Sequence, residues 1–219
     1  MKELLETYSD EGEKIEDIDK SEAHNRMRKE YFETDRVSIR HKHVLLMLMN
    51  SSGRVILQRR SKWKGDNAGM WDKTVGGHVS KDDGFDLTIL KECAEELGIP
   101  STVVPKDKFN HTVSITDLHV LGVITKLAFL DNHKSLRMGK NGKKWVHPSM
   151  TQFYVGYYDG SIKFIDKESC GIQVFSKEDL EQEMEDNPDG FTDDIKYILK
   201  KYSIFIKPVE KRIENVLND

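Results

Sequence analysis

With 219 residues, 37% of them hydrophobic and 33% charged, the chain is long enough for one medium domain with a sizeable core. Its longest apolar run, Val44 to Met49, is six residues, against the roughly 20 needed to cross a bilayer, so neither a membrane span nor a membrane partner is expected. The net charge of −4 argues against a general nucleic-acid binder, which carries a large positive excess.

The first residues, Met1-Lys-Glu-Leu-Leu-Glu6, carry acids where a secretory signal has a basic tip and an apolar stretch, so no targeting segment is expected there. Two cysteines, Cys93 and Cys170, make neither a disulfide framework nor a metal clip, and they suit a reducing cytoplasm. Charge is uneven along the chain. Residues 1–23 hold nine acids against three bases, whereas residues 126–147 hold Lys126, Lys134, Arg137, Lys140, Lys143 and Lys144 against Asp131 alone.

Residues 1–40 are polar and read as an N-terminal extension packing on a domain at 41–219, with Ser9-Asp-Glu-Gly12 as a turn. Val44–Met49 reads as a buried strand, Asn50-Ser-Ser-Gly53 as a turn, and Val55–Gln58 as the returning strand. Trp71 to Val79 is expected to pass from strand to loop. Ser80 or Asp82 then caps a helix from about Asp83 to Leu97, which Gly98 and Pro100 end. Further on, Val120–Leu130 and Gln152–Tyr158 read as strands separated by a long basic loop, and Ile162–Ile165 and Ile172–Phe175 as two more. Helices are expected after Ser176 and from Thr192 to Tyr202. Such a mixture predicts an α/β or α+β sandwich.

The segment richest in chemistry is Lys91-Glu-Cys-Ala-Glu-Glu-Leu-Gly-Ile99. Glu92, Glu95 and Glu96, at i, i+3 and i+4, share one helical face, while Leu90, Cys93, Ala94 and Leu97 offer an apolar face opposite. Like charges at that spacing repel by a few tenths of a kcal/mol per pair. A hard dication such as Mg²⁺ or Mn²⁺ would turn the repulsion into a ligand set; the bland alternative is an ordinary solvated helix. Gly76-Gly77, just upstream, would let backbone atoms approach a metal or phosphate.

Residues 77–99 resemble the Nudix box, G-x5-E-x7-R-E-U-x-E-E-x-G-U, where U is aliphatic. Gly77, Glu92, Glu95, Glu96, Gly98 and Ile99 match; Asp83 stands for the first Glu, Lys91 for Arg and Cys93 for an aliphatic residue. The resemblance implies an α/β/α sandwich around a mixed sheet. It also implies a metal-dependent hydrolase that cleaves a small-molecule diphosphate, with Glu95 and Glu96 as metal ligands and Glu92 as ligand or general base. The Gly76 carbonyl and, by a looser match, Glu168 would complete the metal site.

Between Ser21 and Lys201 the chain also resembles the isopentenyl-diphosphate-isomerase-like branch of this family, through Ser21-Glu-Ala-His24, Asn50 to Ser61 and Trp71 to Val79. The isomerases carry a catalytic cysteine where this chain has Val75, so the hydrolase is expected and the isomerase is the alternative, since protonating an alkene needs a proton donor. A non-catalytic diphosphate-binding module is the third reading. His24, His41 and His78 fall near metal-binding histidines of that branch and would bind zinc or manganese only if their rings converge.

Arg59 and Arg60 end a strand, so one of them would face a diphosphate and the other solvent, with surface pairing as the alternative. Trp63 and Trp71 would stack on a ligand or belong to a core. The basic 126–147 loop is expected to border the substrate cleft and attract polyanions, or else to be a solvated insertion. No patch in the sequence speaks for or against self-association.

Overall fold

The computed structural model describes residues 3–165 and 168–210. Its organising element is β3 (Arg40–Met49), in which every residue except Lys42 is buried. A strand so continuously apolar must be covered on both faces. Along one edge β3 runs parallel to β9 (Lys144–Tyr157), from His41 opposite Ser149 to Met49 opposite Tyr157. Its other edge is shared in succession by three antiparallel partners: β1 (Leu4–Tyr8), β6 (Val75–His78) and β4 (Val55–Arg60).

Sheet order is completed by β10 (Ser169–Phe175) beside β4, β8 (Gly122–Met138) beside β9 and β7 (Ser101–Val103) beside β8; β2 (Lys14–Asp19) pairs with β1, and β5 (Trp71–Asp72) with β4. Alternation along β3 sends Val44, Leu46 and Leu48 to a core with Ile89, Cys93 and Leu97 of α2 (Phe85–Leu97). Leu45, Met47 and Met49 face the opposite core, with Leu180 of α4 (Lys177–Asp186), Ile195 and Ile198 of α5 (Asp193–Tyr202), and Val113 of α3 (Phe109–Ile115). Helices thus cover both faces of a mixed sheet, the α/β/α sandwich expected.

Residues 3–34 form β1, β2 and α1 (Lys20–Thr34). A third core of Leu5, Ala23, Met27, Ile39 and Trp145 packs them together. Arg40, 1% exposed, fastens the β1–β2 turn, donating from Nε to Ser9 O at 2.9 Å and from Nη2 to Asp10 O at 2.8 Å.

Three local expectations are corrected. The basic stretch is no loop: β8 and β9 stay paired out to Met138 opposite Lys144, leaving only a short turn. Ile162–Ile165 is not a strand, because its backbone donors turn to the end of α2, Lys163 N to Leu97 O at 3.0 Å and Ile165 N to Glu96 O at 3.3 Å. Neither Ser80 nor Asp82 caps α2, whose N-cap is Gly84. Gly98 ends that helix as expected. At φ +64° it takes the left-handed cap, and Gly98 N and Ile99 N bond the Ala94 and Cys93 carbonyls at 3.1 and 2.9 Å. Among the described residues no helix is long and apolar enough to cross a membrane.

An ion network ties α5 to the sheet. Asp194, fully buried, meets Lys73 Nζ at 2.8 Å, Arg137 Nη2 at 3.3 Å and His133 Nε2 at 3.1 Å, while the equally buried Asp72 meets Arg60 Nη1 at 3.2 Å and Lys73 Nζ at 3.1 Å and accepts from Thr192 Oγ1 at 2.6 Å. Removing one member of such a network strands the others without solvent. Asp194→Ala is therefore expected to lower unfolding free energy in urea by about 3–5 kcal/mol; a loss below about 1 kcal/mol, the scale of a surface pair, would contradict this account.

Candidate functional site

Where α1, α2, β3, β6 and the loop after β4 converge lies a cavity of about 550 Å³. One wall is acidic. On α2, Glu95 is exposed, Glu92 partly buried and Glu96 only 3% exposed, so the trio is not displayed outward as a set. Glu96 is drawn inward because Gln58 Nε2 donates to its Oε2 at 3.2 Å, Gln58 in turn accepting from Ser169 Oγ. Glu168 joins this wall and is paired with Lys64.

Glu92 lies against the backbone of β6. A Cβ built on Gly77 would stand 1.8 Å from Glu92 Oε1, so a side chain there would force the Glu92 carboxylate to move. Burial raises the Glu92 carboxyl to about 7; Lys20 opposes the rise, and the charges of Glu168, Glu95 and Glu3 add to it. For Glu168 burial again acts upward, but the Lys64 ammonium, with Lys20 and Arg60 behind it, outweighs it and leaves the carboxyl below its ordinary value. Two departures from the Nudix box are partners: Lys91 Nζ meets Asp83 Oδ2 at 2.8 Å, joining the helix to the loop that leads into it. Among the described residues that ion pair, rather than any with Glu92, is the one Lys91 makes.

Only Arg60 of the two expected arginines lines the cavity, tethered by Nε and Nη2 to Asp66 O at 3.2 and 3.0 Å. Arg59 points elsewhere, donating to Gly69 O at 3.0 Å with its guanidinium 5.8 Å from the Trp71 ring centroid. Trp71 packs edge-on to Phe175, as a core residue does, whereas Trp63 is 74% exposed. In the basic 126–147 segment the cation lining the cavity is Arg137. Lys140, Lys143 and Lys144 do not line it; Lys143 sits over the Phe32 ring and Lys144 faces Asp189.

A group of histidines gathers at the same cavity. His24 from α1, His41 from β3, His78 from β6 and His147 from β9 bring ligand atoms within 4.8 Å of one another, and His43 is 5.1 Å from His78 between ring centroids. The shared edge of β3 and the register of β9 cause this convergence. His41 Nε2 and His147 Nε2 are 2.9 Å apart, so one donates and the other accepts. His24 Nε2, His43 Nδ1 and His147 Nδ1 are buried without a hydrogen-bond partner.

Two donor sets could thus hold a metal: the carboxylates suit a hard dication, and the imidazoles suit a transition ion. His147 escaped sequence reading because its segment reads as loop; carrying the alternation of Gln152–Tyr158 back through Pro148 would have reached it. Arg137 belongs to the basic stretch expected to border the cleft, whereas Lys73 and Asp194 were missed because buried ion partners far apart in sequence leave no local pattern.

Burial holds the histidines neutral, lowering His24 to about 3 and His41 to about 4 from 6.5, with Arg137 contributing to both. Below pH 6.5 the unfolded chain takes up protons that the fold refuses, so stability must fall as pH drops. In metal-free buffer the melting temperature is expected to decline steadily from pH 6.5 towards pH 4, and His24→Ala should flatten that slope. A melting temperature constant over this range would contradict the neutral cluster.

The model for the NUDIX domain matches residues 39–195 of this chain. No curated protein matches. Among solved structures, DR0079 from Deinococcus radiodurans is 17% identical over 91% of this chain and 98% of its own, with a TM-score of 0.61. The NUDIX domain of Shewanella oneidensis NrtR, complexed with ADP ribose, is 17% identical over 70% of this chain and 86% of its own, with a TM-score of 0.44. A NUDIX-family hydrolase from Clostridium perfringens is 22% identical over 65% and 85%, with a TM-score of 0.41.

Proposed function

The chain belongs to the Nudix family, a family of hydrolases acting on phosphoanhydride bonds, and on that premise we propose that it cleaves the diphosphate of a small polar molecule with Mg²⁺ or Mn²⁺ held at Glu92, Glu95 and Glu96. The observation carrying this reading is the convergence of these three carboxylates and Glu168 on one wall of a cavity that Gly76 and Gly77 open to backbone approach. The donor set fits a hard ion, since all donors are oxygens and their mutual repulsion needs a positive counterpart. When bound, such an ion neutralises phosphate charge and makes water acidic enough to serve as nucleophile.

Each chain residue has a part in that scheme. Glu95 and Glu96 hold the ion, with the Gly76 carbonyl and Glu168 as further donors. Gln58 keeps Glu96 aimed into the cavity, and Gly77 leaves room for Glu92 beside the reacting phosphate. With its carboxyl near 7, Glu92 is matched to receive a proton from water at neutral pH. Arg60, fixed by Asp66 and Asp72, presents its remaining donors to a phosphate oxygen. Residues 41–219 are taken as the hydrolase domain, and 1–40 as an extension that lends His24 to the cavity.

The cavity lining favours a diphosphate on a polar carrier, such as a nucleoside diphosphate derivative, over one on an isoprenoid tail. Its one large apolar lining residue, Trp145, is 1% exposed, which leaves no greasy wall for a hydrocarbon. An isomerase-type reaction on isopentenyl diphosphate gains support from the histidine group alone; Val75, fully buried, supplies no proton.

A panel of diphosphate compounds with Mg²⁺ or Mn²⁺, scored for phosphate-containing products, tests the reading beside a Glu95→Gln, Glu96→Gln double variant. The double variant should keep its fold, because the amide at 96 can still accept from Gln58, while activity drops on the order of a hundredfold or more. Unimpaired hydrolysis by that variant would remove these residues from the metal site. Isopentenyl diphosphate converted to dimethylallyl diphosphate without phosphate release would favour the isomerase instead.

A further inference from the structure

The cavity is lined by cations as well as carboxylates, and some of the cations lie deeper than their charge would ordinarily allow. Lys73 is 3% exposed and Arg137 8%, yet both line the cavity, as does Arg60. Behind them, away from the cavity, stand Asp72 and Asp194, each fully buried. Within this buried network Lys73 and Arg137 share the Asp194 carboxylate, and Arg60 divides its charge between Asp72 and Glu168. Burying such a network is costly unless each charge is paired.

Donors remain unused at the same place. The Lys73 ammonium has three N–H groups, of which Asp72 and Asp194 engage two. The Arg137 guanidinium has five, and among the described residues its one ion-pair or hydrogen-bond partner is Asp194, through Nη2. His43, 4% exposed, also lines the cavity and has a buried Nδ1 without a partner; His147 Nδ1 is no donor, because His41 gives its Nδ1 proton to Lys42 O and so accepts the Nε2 proton of His147. After burial, Lys73 and Arg137 are the main charges holding His43 neutral, with Asp194 opposing them, which sets these groups in one neighbourhood. A neutral imidazole can place its N–H on Nδ1 and donate.

We propose that Lys73, Arg137 and the Nδ1 atom of His43 form a seat for a phosphoryl dianion, distinct from the carboxylate metal site. An anion there would occupy the unused donors, through charge-assisted hydrogen bonds from Lys73 and Arg137. Asp194 and Asp72 act as positioning residues, holding the cations at the wall rather than touching the ligand. The inference rests on the hydrolase reading for its biological meaning, but phosphate binding by metal-free protein stands or falls apart from hydrolysis.

The test is calorimetric titration of chelator-treated, full-length protein with inorganic phosphate. Saturable binding is expected, weakened roughly tenfold or more in Arg137→Gln, partly restored in Arg137→Lys, and undiminished in Glu95→Gln, Glu96→Gln. Absence of saturable binding, or wild-type affinity in Arg137→Gln, would overturn the seat. Should Arg137→Gln fail to fold, imidazole nitrogen resonances of the wild type decide: phosphate must shift those of His43, and unmoved signals refute the proposal. Matched substrates then identify the source. A lower KM for ADP-ribose 2′-phosphate than for ADP-ribose, equalised in Arg137→Gln, assigns the seat to a phosphoryl group carried by the substrate. Equal KM values in both proteins, with phosphate inhibition relieved in Arg137→Gln, assign it to a phosphate monoester product.

Discussion

The contact between Glu92 and the bare backbone of Gly77 is the constraint on which the site depends. It lets a helix bearing three glutamates lie so close to β6 that one carboxylate is half-withdrawn from water and another, Glu96, is wholly withdrawn. Anions packed in this way repel each other and are poorly solvated, and a dication relieves both penalties at once. A side chain at 77 would displace the Glu92 carboxylate from this position. The same closeness raises the Glu92 carboxyl towards neutrality, the range where a proton acceptor is most useful.

The cavity gathers charges of both signs. Carboxylates of α2 and Glu168 line it together with histidines and with cations paired to Asp72 and Asp194. This gathering arises from topology. β3 gives one edge to three partners and the other to β9, so residues from β1–α1, β6 and the far end of the β8–β9 hairpin are forced together over its first half.

Much of this was legible in the sequence, and the remainder was hidden for identifiable reasons. The run Val44–Met49, the turn at Gly53, the end of α2 at Gly98 and the helix after Ser176 follow from local rules of burial and capping, and the structure has each of them. Glu92, Glu95, Glu96, Gly76 and Glu168, named from spacing and resemblance, are brought to one cavity. Arg59 is not, because strand alternation says that neighbours diverge without saying which one faces inward. The hairpin arm was hidden by its composition: charges and Gly139, Gly142 and Pro148 look like loop until pairing with the rest of the fold supplies partners. With it was hidden His147. Lys91 and Asp83 each look like a defect in isolation, and only the 2.8 Å contact between them explains both.

The central claim is that oxygen ligands on α2 hold a divalent ion, and anomalous diffraction from crystals soaked in manganese tests it most directly. The account predicts a peak about 2.0–2.3 Å from carboxylate oxygens of Glu95 and Glu96, as first-row and alkaline-earth dications require. A peak among His24, His41, His78 and His147 alone, with none beside the glutamates, would contradict it.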